Sequence, residues 1–342
     1  MRRALLSAGA VAVTVLAAAC GSSASSSSSG SSPADAPVTL RLGFLANITH
    51  APALVGVDKG FFTQSLGKNV TLSVKIFSTG TEETTAILAG QLDAAYVGPN
   101  PAINAWQKSS GSAIRIISGA ATGGASVVVK KGITSAAGLK GKTLATPSLG
   151  NTQDVALRYW LKQNGVATTT TGGGDAFVKP TTPNSAAVLE FKSGQVDGAS
   201  EPAPYDIEMV KDGGTVLLSE PGVTTVLVVA QSFLAAHPAV VADLVKAQIQ
   251  ANDFIKSSPA AAQADANSEL ASYTGKPLKA SIVAAAFKEI TFTDDPDQSS
   301  LTSDASQAMS LGLLKPVNLS GIFDLTPLNT ALAAAGESQV SS

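Results

Sequence analysis

The chain has 342 residues, of which 44% are apolar, 14% charged and 5% aromatic, with 31 glycines and 17 prolines. This length allows a large hydrophobic core and favours two domains over one, and the apolar content excludes a disordered chain. The 23 basic and 25 acidic residues give a net charge of -2, which leaves no basic excess to bind a nucleic-acid backbone. The composition favours an α/β protein with many tight turns.

The N-terminal residues have the features of a targeting segment. Two arginines precede an apolar stretch over residues 4–19, which is too short for an ordinary membrane span. The stretch ends at Cys20, the only cysteine, in a pattern that resembles the lipobox of bacterial lipoproteins, with Ala17 where leucine is usual. We predict a lipoprotein signal peptide over residues 1–19 and lipidation of Cys20. An ordinary secretory signal beside a chance cysteine is the alternative.

Residues 20–37 begin with the cysteine and are rich in serine, which is typical of a flexible tether. Together with the lipid on Cys20, this tether would hold a folded domain on the outer face of the cytoplasmic membrane. The mature chain would contain no other cysteine, so it would fold without disulfides.

Beyond the tether, strand and helix patterns alternate. Strands are predicted over residues 38–44, 70–77, 94–97, 114–119, 126–130, 143–146, 196–199, 216–218 and 226–230. Helices are predicted around 52–60 and 81–89 and over 153–163, 186–192, 202–211, 239–256, 260–272, 280–288 and 299–311. This rhythm indicates mostly parallel sheets covered by helices on both faces.

A short internal sequence repeat indicates two similar lobes. Residues 90–93 read GQLD and residues 194–197 read GQVD, each after a predicted helix and before a short strand and a proline-containing turn. The spacing of 104 positions is too long for a solenoid repeat. Open parallel sheets bind ligands at the carboxyl ends of their strands, so the corresponding loops of two lobes are candidate ligand contacts.

The chain resembles the substrate-binding proteins of ABC importers for sulfonates, taurine and nitrate, a family related to pyrimidine-precursor binders. The resemblance covers roughly residues 38–330 and depends on the order and spacing of several motifs. These are residues 42–44 (LGF), 51–54 (APAL), 58–62 (DKGFF), 90–93 (GQLD), 98–101 (GPNP), 138–142 (GLKGK), 194–197 (GQVD) and 201–202 (EP).

The resemblance implies a two-lobed, type II periplasmic-binding-protein-like clamshell, each lobe a mostly parallel sheet flanked by helices. Lobe one would comprise residues 38–125 and 225–342, and lobe two residues 126–224. Glycines near both chain crossings would supply the hinge. The protein would be a monomer that captures a small anionic organic solute, an aliphatic sulfonate or taurine, and delivers it to an ABC permease and its ATPase.

Other functions stay open on the same scaffold. Nitrate, a pyrimidine precursor or a flavin-like compound are alternative ligands, and a ligand-sensing lipoprotein without transport is an alternative class. An enzyme of the pyrimidine-synthesis type is the third. The sequence contains no G-x-S-x-G or H-E-x-x-H motif and only two histidines, so we expect no enzyme activity, metal or cofactor.

Four loops that precede predicted helices are the candidate ligand site: residues 46–50, 98–100, 148–152 and 201–202. Each would present unpaired backbone N–H groups at a positive helix end, which suits oxygens of an anion. The ligand-binding residues predicted from these loops are Asn47, His50, Gly98, Asn100, Gly150, Asn151, Thr152 and Glu201. Plain helix capping is the alternative for each, and Glu201 would attract an amino group rather than an anion.

Overall fold

The structure is a computed structural model that describes residues 37–341. The predicted signal peptide, Cys20 and all but the last residue of the predicted tether lie outside the described residues. The strands are β1 (Val38–Leu45), β2 (Val70–Phe77), β3 (Ala94–Val97), β4 (Ile114–Gly123), β5 (Ala125–Val129), β6 (Thr143–Thr146), β7 (Phe177–Pro180), β8 (Gly198–Pro202), β9 (Thr215–Ser219), β10 (Val223–Ala230) and β11 (Ile290–Phe292).

Helices connect these strands and cover both sheets. They are α1 (Ala51–Asp58), α2 (Phe61–Leu66), α3 (Gly80–Leu88), α4 (Pro99–Lys108), α5 (Thr152–Gln163), α6 (Asn184–Ser193), α7 (Tyr205–Lys211), α8 (Gln231–Ala236), α9 (Pro238–Ser257), α10 (Pro259–Thr274), α11 (Ala280–Glu289), α12 (Gln298–Ser310) and α13 (Thr326–Ala335). Among residues 37–341, none of the helices is both long and apolar enough to cross a bilayer.

The strands form two sheets with the same internal order. The first has the order β11-β4-β10-β3-β1-β2 and the second the order β7-β6-β8-β5-β9. In each, three neighbouring strands are parallel, β2, β1 and β3 in one and β7, β6 and β8 in the other. We call the first sheet with its helices the first lobe, and the second sheet with its helices the second lobe.

Each sheet contains the predicted parallel strands but is mixed, because one interior strand in each runs antiparallel to both of its neighbours. In the first sheet β10 runs antiparallel to both β3 and β4, and in the second β5 runs antiparallel to both β8 and β9. Both strands have just crossed from the other lobe. They therefore start at the junction between the lobes and run away from it, whereas the parallel strands run toward it.

The internal sequence repeat corresponds to the same position in the parallel group of each sheet. Asp93 and Asp197 come directly before β3 and β8, the third strand of each parallel group. The Asp93 carboxylate accepts a hydrogen bond from the Arg41 N–H of β1 at 2.8 Å. The Asp197 carboxylate accepts one from the Thr143 N–H of β6 at 2.9 Å. Each aspartate thus fastens the turn before the third strand to the neighbouring first strand.

Strand alternation places apolar side chains on both faces of the second sheet. Val127 and Val129 of β5 contribute to a core under α5, with Leu157 and Leu161. Val128 between them points to the other face and belongs to a separate cluster, under α6 and α7. Burial on two faces explains why β5 reads as a continuous apolar run.

The two crossings between lobes lie side by side. Gly123 and Gly124 join β4 to β5 and both have φ of 70°, a left-handed conformation that favours glycine. A Cβ atom at Gly123 would lie 2.6 Å from the Glu289 carbonyl oxygen. The Gly123 N–H donates to the Gly222 carbonyl oxygen of the other crossing at 2.9 Å. These contacts hold the two crossings against each other.

Candidate functional site

Two neighbouring cavities lie between the sheets. The inner one has a volume of about 30 Å³ and the outer one about 560 Å³. Both are lined by residues from each lobe, and Leu45, Asn47, Ser78 and Asn184 line both cavities. They therefore form one interlobe cleft with a narrow inner end.

The inner cavity lies at the carboxyl ends of all six parallel strands. Its lining residues follow β1, β2 and β3 in the first lobe and β6, β7 and β8 in the second. Five helices, α1, α3, α4, α5 and α6, begin within or next to this lining. Among the described residues, no lysine, arginine, aspartate or glutamate lines it. Its polarity therefore comes from helix starts, amides and hydroxyls, a set that suits a small anion.

The loop after β1 supplies a preorganised group of buried polar residues. The Thr49 hydroxyl donates to Asn47 Oδ1 at 2.7 Å, and the Leu45 N–H donates to His50 Nδ1 at 3.3 Å. Burial lowers the pKa of His50 to about 3, so the imidazole is neutral and its proton lies on Nε2. The ring therefore presents a hydrogen-bond donor without a charge, and neither Asn47 nor His50 caps a helix through its side chain.

The loop after β6 is held by a buried ion pair. Asp154 accepts hydrogen bonds from the Thr146 hydroxyl and the Gly150 N–H, both at 2.9 Å. The Arg158 Nε group, one turn later on α5, donates to the same carboxylate at 2.9 Å. Asn151 caps α5 by accepting from the Asp154 N–H at 2.9 Å. Gly150 and Asn151 thus fix the loop.

Thr152 lines the inner cavity at the start of α5. Its side chain is 8% exposed, and its hydroxyl oxygen has no partner within the part of the chain that the structure describes. A Cβ atom at Gly98, on the opposite lobe, would lie 2.6 Å from this oxygen. Gly98 therefore allows the two lobes to approach at the inner cavity.

Three of the predicted residues, Asn100, Gly150 and Glu201, do not line this cavity. Asn100 is buried and its side-chain amide donates to the Asp304 carbonyl oxygen on α12 at 3.4 Å. Glu201 is fully buried beside the hinge, in register with Ser126 of β5, and lines none of the cavities that we describe. The other five predicted residues line the inner cavity: Asn47, His50, Gly98, Asn151 and Thr152. Gly150 directly precedes Asn151.

The sequence reasoning missed two loops of this site. Ser78 and Thr79 follow β2, and Asn184 follows β7 and begins α6. The signal was present for the first loop, because the Thr79 hydroxyl accepts from the Glu82 N–H at 3.2 Å in a capping pattern. That pattern follows a predicted parallel strand, which places it at the same edge as the other loops.

The outer cavity is mostly apolar. Ile76 and Phe77 line it from the first lobe, and Val188 and Leu189 from the second. Leu189 is 66% exposed, an uncovered apolar side chain at the cleft. On the same cavity, the Tyr205 hydroxyl donates to the Ala46 carbonyl oxygen across the lobes at 3.1 Å.

Two α/β lobes with a polar cleft between them have the fold of periplasmic binding proteins. Residues 34–271 match the sequence profile of the NMT1-like family. The chain belongs to this family, which confirms the resemblance to substrate-binding proteins. A search of curated proteins finds no match.

Several solved structures with the same fold are described as binding components of importers. The alkanesulfonate-binding protein SsuA of Xanthomonas axonopodis pv. citri, bound to MOPS, is 17% identical with a TM-score of 0.69, covering 82% of this chain and 96% of that one. The periplasmic nitrate-binding protein NrtA of Synechocystis PCC 6803 is 15% identical with a TM-score of 0.74, covering 87% and 89%. The ligand-binding component of an ABC-type import system of Staphylococcus aureus, with zinc bound, is 14% identical with a TM-score of 0.70, covering 86% and 99%.

Proposed function

We propose that this protein is the extracytoplasmic solute-binding component of an ABC importer. It captures a small organic anion, an aliphatic sulfonate or taurine, between its lobes and delivers it to the permease. The observation that carries the proposal is the meeting of five helix starts at an inner cavity whose Thr152 hydroxyl has no hydrogen-bond partner among residues 37–341. Anions bind such converging N–H groups without a counter-charge on a side chain.

The two cavities would bind different parts of such a ligand. The inner cavity would hold the anionic group, with the neutral His50 ring, Asn47 and Thr152 as hydrogen-bond donors. The outer cavity, with Phe77 and Leu189, would hold an apolar chain. The inner volume of about 30 Å³ is close to one water molecule's share of liquid. A sulfonate group is larger than one water molecule, so the ligand would enter with the lobes apart, and the lobes would close around it with the inner cavity wider than in this structure.

Closure of the lobes around the ligand would also tell the permease that the protein is loaded. A ligand that contacts both lobes stabilises the closed form more than the open form, so occupancy shifts the population of the two. The permease would recognise the closed form. Lobes over residues 38–125 plus 225–342 and 126–224, moving about the paired crossings, would provide the motion, and the lipid on Cys20 would keep the protein at the membrane.

Thermal unfolding against a panel of compounds tests this function. The panel contains taurine, alkanesulfonates of several chain lengths, nitrate, a hydroxymethylpyrimidine and riboflavin. A ligand at 100 times its dissociation constant should stabilise the protein by about 2.7 kcal/mol, a shift of several degrees. We expect a response to alkanesulfonates that grows with chain length, because longer chains cover more of the outer cavity.

Two matched variants test whether the ligand-induced shift in melting temperature depends on the inner cavity. Thr152→Val removes the inner-cavity hydroxyl at nearly constant shape and should reduce the shift. Thr85→Val removes an exposed hydroxyl on α3, which donates only to the Thr81 carbonyl oxygen at 2.7 Å, and should leave the shift unchanged. A folded protein that responds to none of the compounds, or equal shifts in both variants, would contradict the proposal.

A further inference from the structure

A cluster of carboxyl groups lies beside the hinge and is divided between the lobes. Glu201 on β8, Asp206 on α7 and Glu220 between β9 and β10 belong to the second lobe, and they are only 0%, 1% and 8% exposed. Asp304 on α12 belongs to the first lobe. We call these four residues the hinge cluster. It takes no part in the proposed solute site.

Among the residues that the structure describes, the hinge cluster has few hydrogen-bond partners and no counter-charge. Both Glu201 carboxyl oxygens and Asp304 Oδ2 are buried without a hydrogen bond of good geometry among residues 37–341. Glu220 accepts a hydrogen bond from the Ser200 hydroxyl, and Asp206 accepts one from the Ile207 N–H at 2.8 Å. Within the same residues, no lysine, arginine or histidine lies where it lowers the pKa of any member.

The groups that face the cluster are mostly acidic. Glu201 faces Asp206 and Glu220, with the Asn184 side chain as a partial hydrogen-bonding offset. Asp206 faces Glu289 at the end of α11, across the lobe boundary, and the Ser126 hydroxyl of β5. Glu220 faces Asp304 across the same boundary, and Asp304 faces Asp297 at the start of its own helix.

Burial and these like charges keep the cluster protonated near neutral pH. Burial, with Asp304 and Asp206 adding to it, raises the pKa of Glu220 to about 8. Burial raises the pKa of Asp206 to about 7, with Glu289 contributing, and that of Asp304 to about 7, with Asp297 contributing. Burial also raises the pKa of Glu201 well above its usual range. Ionised carboxylates packed together in this way would destabilise the contact between the lobes.

A cavity beside the second crossing, which shares Thr152 and Thr224 with the inner cavity, gives water a route to the cluster. It has a volume of about 390 Å³ and is lined by Glu220 and Gly222 on one side and by Ser300 and Asp304 on the other. Because its walls come from both lobes, separation of the lobes would widen it. Hydration would then stabilise the ionised carboxylates that the closed form excludes.

We propose that opening and closing of the lobes is coupled to protonation of the hinge cluster, so that the closed form binds protons that the open form releases to solvent. The proposal rests on the clamshell motion of the proposed function, but not on the identity of the solute. Since the closed form has the higher proton affinity, the closed form is favoured at low pH, and this preference is lost as pH rises through about 7 to 8. Solute binding would take up protons, and its affinity would fall by up to roughly tenfold per pH unit for each proton.

Small-angle X-ray scattering of the protein without solute, between about pH 6 and about pH 9, tests the coupling. We expect the radius of gyration to increase with pH in the wild type. The double variant Glu220→Gln and Asp304→Asn removes one of the two carboxyl pairs at the lobe boundary, leaving Asp206 and Glu289, and should expand less than the wild type. Asp243→Asn, which removes an exposed carboxylate paired with Lys246, should follow the wild type.

The outcomes separate this proposal from the proposed function. Identical scattering at both pH values, or the same expansion in the double variant, would overturn the coupling and leave the solute-binding proposal intact. If the double variant does not fold by circular dichroism, Asp304→Asn alone decides, because Asp304 lies on the half-buried side of a helix. An undiminished pH response in that single variant would equally refute the coupling.

Discussion

Replacing Asp154 by alanine should cost about 3 to 5 kcal/mol of unfolding free energy, the usual loss when one partner of a buried ion pair is removed. The Asp154 carboxylate is fully buried and accepts three side-chain or backbone hydrogen bonds at 2.9 Å. Without it, the Arg158 guanidinium is left 2% exposed with an unpaired charge. It keeps only its bonds to the carbonyl oxygens of Thr169 and Val178, at 2.7 and 3.1 Å.

Urea unfolding followed by circular dichroism measures this loss. The double variant Asp154→Ala and Arg158→Met should regain part of it, because the unpaired buried charge is gone. Asp243→Ala, which breaks the exposed pair with Lys246 at 2.8 Å, should change the free energy by less than about 1 kcal/mol. A loss below about 1 kcal/mol for Asp154→Ala would refute the reasoning that this pair fixes the loop before α5.

Three further changes test the cleft and the hinge. Gly98→Ala places a Cβ atom 2.6 Å from the Thr152 hydroxyl oxygen and should weaken solute binding roughly tenfold by calorimetry, since overpacking costs about 1 to 3 kcal/mol. Tyr205→Phe removes a hydrogen bond between the lobes and should lower the unfolding free energy by about 1 kcal/mol in urea. Because the pKa of Glu220 is raised to about 8 and that of Asp304 to about 7, the melting temperature should fall as pH rises from about 6.5 to 8.5. A melting temperature that rises over that range would contradict the last expectation. An unchanged solute affinity in Gly98→Ala, or an unchanged unfolding free energy in Tyr205→Phe, would contradict the first two.

The sequence pattern was sufficient for elements with strong alternation. The strands predicted over 70–77, 94–97 and 143–146 coincide with β2, β3 and β6. The three-residue strand β11 was not predicted, because it is too short to show a period of its own. The antiparallel direction of β5 and β10 was missed because an apolar run has no direction. The direction of these two strands is set by the points at which the chain crosses from one lobe to the other.

The site was predictable as a set of loops but not as a set of side chains. Loops after parallel strands meet at one edge, which brings Asn47, Gly98 and Thr152 together. The direction of a side chain within a loop depends on packing against distant elements. Asn100, one residue into α4, therefore points to α12, and Glu201 on β8 is buried near Asn184, Asp206 and Glu220.

Hydrogen–deuterium exchange with and without millimolar hexanesulfonate tests the central claim, that a small anion binds between the lobes, most directly. We predict slower exchange in residues 46–50 of the first lobe and in residues 150–153 of the second, because both segments line the inner cavity. Protection on one lobe only, or in the groove along Thr326–Ala335 at the C-terminal end, would contradict the account.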